Sequence, residues 1–270
     1  MRNANSPALL TCALAALAMS IVQAAELPPA ERLQEQMGTP AATITVHEPH
    51  LSLDGQRVEI EYVGYPAVDV MARLFGNDWH EQAATVELRA LDGYVARIDV
   101  ARFVKETGFL AFARKDGAPF TIDNPRQNQT DVPLAPWYLV WDNVSSPALF
   151  EEGARNWPYQ VHEVNLVSLS DSALLPDGLA AGLHEGAELA RTYCLQCHMV
   201  NGFGGEKHPG NLAEIARAYP EPDFTRWVLE PSSIRSGTSM PPLYRHIPDA
   251  ERRRIAKALF DYLRAVPILQ

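Results

Sequence analysis

Cysteine is scarce in this chain: 270 residues contain three, at Cys12, Cys194 and Cys197. Cys12 falls in an apolar N-terminal run, which leaves two thiols close together and excludes both a disulfide-stapled scaffold and a four-cysteine zinc site. Long apolar runs are lacking too, because nothing after the first 25 residues could span a bilayer. Basic charge is in deficit, with 23 Lys and Arg against 33 Asp and Glu and a formal charge of -10. Such a surface repels nucleic-acid phosphates and favours a basic protein partner steered by long-range attraction. There is no internal repeat and no low-complexity tract.

What the chain does have begins with an export signal. Arg2, the apolar stretch 8–22 and the small-residue site Val22-Gln23-Ala24 read as a signal peptide over residues 1–24, cleaved after Ala24, with a retained N-terminal anchor as the plainer alternative. The mature protein is expected in the periplasm, with no transmembrane segment. Charge is distributed unevenly: residues 25–182 carry 23 acidic and 11 basic side chains, whereas residues 183–270 carry 10 and 11. Two domains are the simplest reading.

Periodicity supports that division. Alternating, β-branched runs at 43–46, 58–63, 85–90, 94–99, 137–141 and 160–167 predict strands. Residues 67–75 put Val68, Met71, Ala72 and Phe75 on one helical face, and 100–107 does so more weakly. Asp92-Gly93 and Asp116-Gly117 are hairpin signals. Residues 43–168 are therefore expected to form an α+β domain with an antiparallel or mixed sheet. Turn-forming composition marks 169–182 as a linker. Helical patterns at 183–193, 223–230 and 250–266 predict an all-α domain over 183–270.

Cys194-Leu195-Gln196-Cys197-His198 carries the chemistry. Two thiols at this spacing can each add to one porphyrin vinyl group, and the next residue is a histidine able to ligate the iron. A zinc site would need further ligands, leaving only histidines such as His184 and His208, and a redox disulfide would be expected at a strand-to-helix junction.

Residues 183–270 resemble the class I cytochrome c domain of bacterial electron-transfer proteins. The likeness rests on that motif, on Gly186 and Tyr262 as the helix-crossing pair, on Pro209 within His208-Pro209-Gly210-Asn211-Leu212, and on Gly237-Thr238-Ser239-Met240-Pro241-Pro242. It implies one covalent haem c held by Cys194 and Cys197, axial ligands His198 and Met240, and a Pro209 carbonyl accepting the His198 ring proton. Chain position also favours Met240: Met199 is too close to the proximal side, and Met37 and Met71 belong to the other domain. A thioether opposite histidine raises the reduction potential. With both axial positions filled, a peroxidase or haem-based sensor is not expected. His246 is the rival sixth ligand. His184 and His208 read as solvated, Trp227 and Tyr244 as core or pocket lining, and Arg252, Arg253 and Arg254 as a solvated helix face.

Residues 43–169 resemble, less specifically, the pterin-binding fold of sulfite-oxidase-type molybdenum enzymes, through Leu91-Asp92-Gly93-Tyr94, Phe109-Leu110-Ala111-Phe112 with Lys115-Asp116-Gly117, and Trp137-Tyr138-Leu139-Val140-Trp141. The family's molybdenum-ligating cysteine is missing, so molybdopterin chemistry is not expected and a docking role is. Glu59, Glu61, His47, His50, Trp137, Tyr138 and Trp141 are assigned no catalytic role. The expected function is a respiratory electron carrier rather than an enzyme, reduced by a periplasmic dehydrogenase and reoxidised by a cytochrome or terminal oxidase. The alternative is an oxidoreductase whose N-terminal domain binds a substrate or pterin and passes electrons to the haem.

Overall fold

The computed structural model describes residues 20–52, 56–168, 171–243 and 247–269. Most of the expected leader, part of the expected linker, and Tyr244 and His246 lie outside the described residues.

Apolar runs, some alternating and some continuous, build two four-stranded antiparallel sheets. One has the order β1 (Ser20–Glu26), β10 (Val161–Ser168), β4 (Thr85–Ala90), β5 (Val95–Asp99); the other runs β2 (Ala42–His47), β3 (Glu59–Pro66), β6 (Gly108–Arg114), β9 (Tyr138–Trp141). A separate hairpin pairs β7 (Thr121–Asn124) with β8 (Gln129–Pro133). Helices α1 (Ala30–Met37), α2 (Ala67–Phe75), α3 (Trp79–Gln82), α4 (Val100–Lys105) and α5 (Pro147–Glu151) lie between the strands. Trp137, Trp141, Trp157, Tyr62 and Tyr138 are among the largest fully buried side chains of this core, and burying each aromatic is worth about 1.5–3 kcal/mol. The expected cleavage site lies in β1, where Gln23 and Ala24 pair with Leu166 and Asn165.

A second apolar cluster gathers Ala187, Ala190, Leu195, Phe203, Leu212, Phe224, Leu259 and Leu263. It is built by α6 (His184–Tyr193), α7 (Leu212–Arg217), α8 (Glu221–Leu229) and α9 (Asp249–Ala265). Leu174, from the expected linker, is fully buried in it and its carbonyl accepts a bond from the Tyr262 hydroxyl at 2.9 Å.

The fold expected from the sequence is corrected here. Residues 183–270 do not form the expected all-α cytochrome c domain: β11 (Met199–Val200) and β12 (Phe203–Gly204) form an antiparallel hairpin immediately after His198, and among the described residues the chain is mixed α/β with four antiparallel sheets. The physical reason is local. Asn201 and Gly202 both take positive φ, 52° and 79°, the geometry of a two-residue turn whose twist matches that of paired strands. Asp116-Gly117 closes no hairpin between neighbours, because β6 pairs with β3 and β9 while β7 pairs with β8. Asp92-Gly93 does join β4 to β5, which pair antiparallel. Arg252 is buried rather than solvated, bonding the Leu229 carbonyl at 2.9 Å and Asp249 at 2.9 Å.

Candidate functional site

The Cys194-to-His198 segment is a tight turn at the end of α6. The amides of Cys194 and Leu195 both bond the Ala190 carbonyl, and the amides of Cys197 and His198 bond the Cys194 carbonyl at 3.2 and 3.0 Å. This turn separates the side chains by role. Leu195 is buried in the helical core, while Cys194 and Cys197, neither in a disulfide, face a cleft. Burial pushes the Cys194 thiol up to about 12 and the Cys197 thiol up to about 11, the charge of a neighbouring thiolate adding to the first.

The cleft encloses about 1130 Å³ of space free of protein atoms, including its open mouth. Met240, Pro241, Pro242 and Leu243 line it together with the two cysteines. The methionine loop is tied from two sides: the Met240 amide bonds Thr238 Oγ1 at 3.2 Å, and Asn128, at the turn between β7 and β8, donates to the Thr238 carbonyl at 2.6 Å. Each proline also fixes one backbone angle of the loop.

His198 does not line this cleft. Its ring packs on His208 with centroids 5.2 Å apart. Burial, with a smaller contribution from the charge of His208, lowers its pKa to about 4, so the imidazole is neutral, the form that ligates metal. Its Nδ1 is buried without a hydrogen-bond partner, so the bond expected to the Pro209 carbonyl is not made. Gly186 packs directly on Tyr262: a Cβ there would overlap the Tyr262 Cβ and lie 2.5 Å from the Ala258 carbonyl oxygen. That contact fixes the crossing of α6 and α9, which in turn holds the cysteine turn.

The sheet-rich half supplies the opposite wall, with His50, Asp92, Tyr94, Trp157 and Tyr159 among its residues. The halves meet through main chain. The Val95 amide bonds the Gln196 carbonyl and the Glu206 amide bonds the Gly93 carbonyl, both at 2.8 Å. Gly93, at φ 85°, is required by this approach, since a Cβ there would lie 2.8 Å from the Lys207 amide nitrogen. Lys207 pairs with Asp92 at 2.7 Å, and the Arg97 guanidinium stacks 4.4 Å from the Phe203 ring centroid.

Behind His50 lies a cluster in which the sequence reading named His50 and Tyr138 without a role and missed Glu48 and Tyr62. Glu48, fully buried, accepts from the hydroxyls of Tyr62 at 2.8 Å and Tyr138 at 3.0 Å. It also lies 2.7 Å from His50 Nδ1. Burial, reinforced by the Glu48 charge, drives both phenols far above their usual range. The only signal in the sequence was the Glu48-to-His50 spacing, in a loop where periodicity says nothing. His47, by contrast, bonds Asn143 through its backbone, while Glu59 and Glu61 are exposed on β3.

Two free thiols and a methionine on a proline-flanked loop thus share one cleft, while the His198 imidazole, adjacent in sequence to the second thiol, packs on His208 with its Nδ1 lacking a hydrogen-bond partner. No known protein family matches the chain, and no curated protein matches it either.

Proposed function

We propose that this chain is an exported mono-haem c-type cytochrome that passes single electrons from a dehydrogenase to a respiratory acceptor. The observation that carries the reading is that Cys194, Cys197 and Met240 line one cleft, with the neutral His198 directly following Cys197. When bound, the haem supplies a one-electron iron couple. The protein does the rest. Cys194 and Cys197 would anchor the haem, His198 and Met240 would supply ligands to its iron, and Val228, Leu243 and Leu259 give the cleft an apolar lining. The Pro241-Pro242 loop restrains Met240 against exchange with water.

The sheet-rich half acts as a wall of this cleft as well as an acidic docking surface. That shared wall also favours a second reading, an oxidoreductase whose N-terminal half handles a substrate or pterin. Metal analysis separates the two: iron alone fits the carrier, and molybdenum near one per chain fits the enzyme.

The test is the optical spectrum of the purified protein, oxidised and reduced, beside Met240→Ala. A reduced spectrum of c type, with a weak far-red iron-to-sulfur band lost in the variant, is the expected result. A protein without haem absorption overturns the reading.

A further inference from the structure

The cleft has a base in its wall that simple electron transfer does not use. His50 Nδ1 lies 2.7 Å from Glu48 and 3.1 Å from the Tyr138 hydroxyl; with Glu48 ionised and accepting from the Tyr62 and Tyr138 phenols, the nitrogen donates to Glu48 as well. Committing the Nδ1 proton to Glu48 leaves a lone pair on Nε2. The backbone amide of His50 also bonds Glu48, at 3.2 Å, and the Tyr159 ring meets the imidazole edge-on at 5.7 Å. The ring is thus held in one orientation at the cleft wall, which it lines together with Cys194, Cys197 and Met240.

Among the described residues of the cleft wall, His50 is the one histidine. The phenols of Tyr138, Tyr62 and Tyr159 are all raised by burial. Lys207 is ion-paired with Asp92. Arg155, 4.0 Å from Glu152, and Arg126 are guanidinium cations that do not deprotonate, and the two thiols are consumed by attachment.

We infer that His50 takes up one proton when the cleft takes up one electron, so that the chain carries a hydrogen equivalent. The inference rests on the haem reading above. In the balanced step a donor protein would supply the one electron that the bound haem holds. Water supplies one proton, which adds to His50 Nε2 to give an imidazolium still bonded to Glu48, and both leave on reoxidation. The driving force is Coulombic. A negative charge added to a poorly solvated cleft raises the proton affinity of a base in its wall, and the buried Glu48 carboxylate stabilises the cation that results.

The experiment is a spectroelectrochemical titration of the holoprotein from about pH 5 to about pH 8, the range in which histidine changes charge. The expected potential falls as pH rises, with a slope approaching about 59 mV per pH unit for one proton per electron. His50→Gln is expected to flatten the profile, and Glu48→Gln to move the sloping region to lower pH. A flat wild-type profile overturns the inference, as does a His50→Gln profile with the wild-type slope, which assigns the proton to another group. If His50→Gln does not fold, a sloping region unmoved in Glu48→Gln overturns it equally. Absence of haem, visible in the absorption spectrum before any titration, would sink the underlying reading instead.

Discussion

Two buried polar groups, Glu48 in the sheet-rich half and His198 in the helical half, are treated differently. In the sheet-rich half, Glu48 sits at zero exposure and is bonded by two phenols, an imidazole and a backbone amide, so a charge costly to bury is compensated within the fold. In the helical half, the His198 imidazole is buried with an unbonded Nδ1, and two thiols and a thioether face a cleft. A polar cluster closed on itself serves stability and proton affinity. One that lines a cleft is open to a ligand, and the function proposed above places its electron chemistry in the second half with the first as supporting wall.

The largest expected effect breaks that assignment cleanly. Replacing both Cys194 and Cys197 by serine is expected to abolish covalently bound pigment while the sheet-rich core still unfolds cooperatively, as circular dichroism melts would show. Next comes Glu48→Ala, which leaves buried donors unpaired and is expected to destabilise the sheet-rich half by about 3 kcal/mol, with Tyr62→Phe costing about 1 kcal/mol. Urea titrations of the two variants measure the difference. Gly186→Val is expected to cost about 1–3 kcal/mol by forcing α6 from α9, and to lower haem incorporation, which Glu48→Ala should spare.

Acid sensitivity gives a finer comparison. In the serine variant the imidazole of His198 is free to titrate; its pKa is about 4 in the folded chain, against an ordinary value near 6.5. Between those values the unfolded chain binds the extra proton, so stability is present above about 6.5 and is lost as pH falls towards about 4. His208, also lowered by burial, acts in the same direction. Denaturant midpoints across that window should slope in the serine variant and slope less when His198→Gln is added. The smallest effect is at the junction: Phe203→Leu removes the ring on which Arg97 stacks while leaving the Arg97 pair with buried Glu87 at 2.7 Å intact, and is expected to cost about 1 kcal/mol.

Much of the local structure was legible. The helix over 67–75 and the strand over 85–90 coincide with α2 and β4, because strong periodicity and turn residues bounded both. The hairpin after His198 was legible as well, since Asn201-Gly202 is a strong turn pair, but the expectation of a wholly helical domain obscured it. Other elements gave less warning. The strand β6 reads Gly-Phe-Leu-Ala-Phe-Ala-Arg, a run without alternation, because four consecutive residues are buried in the middle of its sheet. The inward turn of Arg252 depends on the Leu229 carbonyl, 23 positions away. Of the candidate site, the cysteines, His198 and Met240 were marked by motif and chain position. The far wall of the cleft was not, because it requires a loop at His50 and a turn at Trp157 to converge through tertiary packing.

The central claim is that Cys194 and Cys197 are attachment points. It is tested most directly by isolating the exported protein, denaturing it, and counting haem and free thiols on the same sample. The account predicts one haem per chain that survives denaturation and no thiol that reacts with an alkylating reagent. Two reactive thiols per chain, with no haem retained, would contradict it.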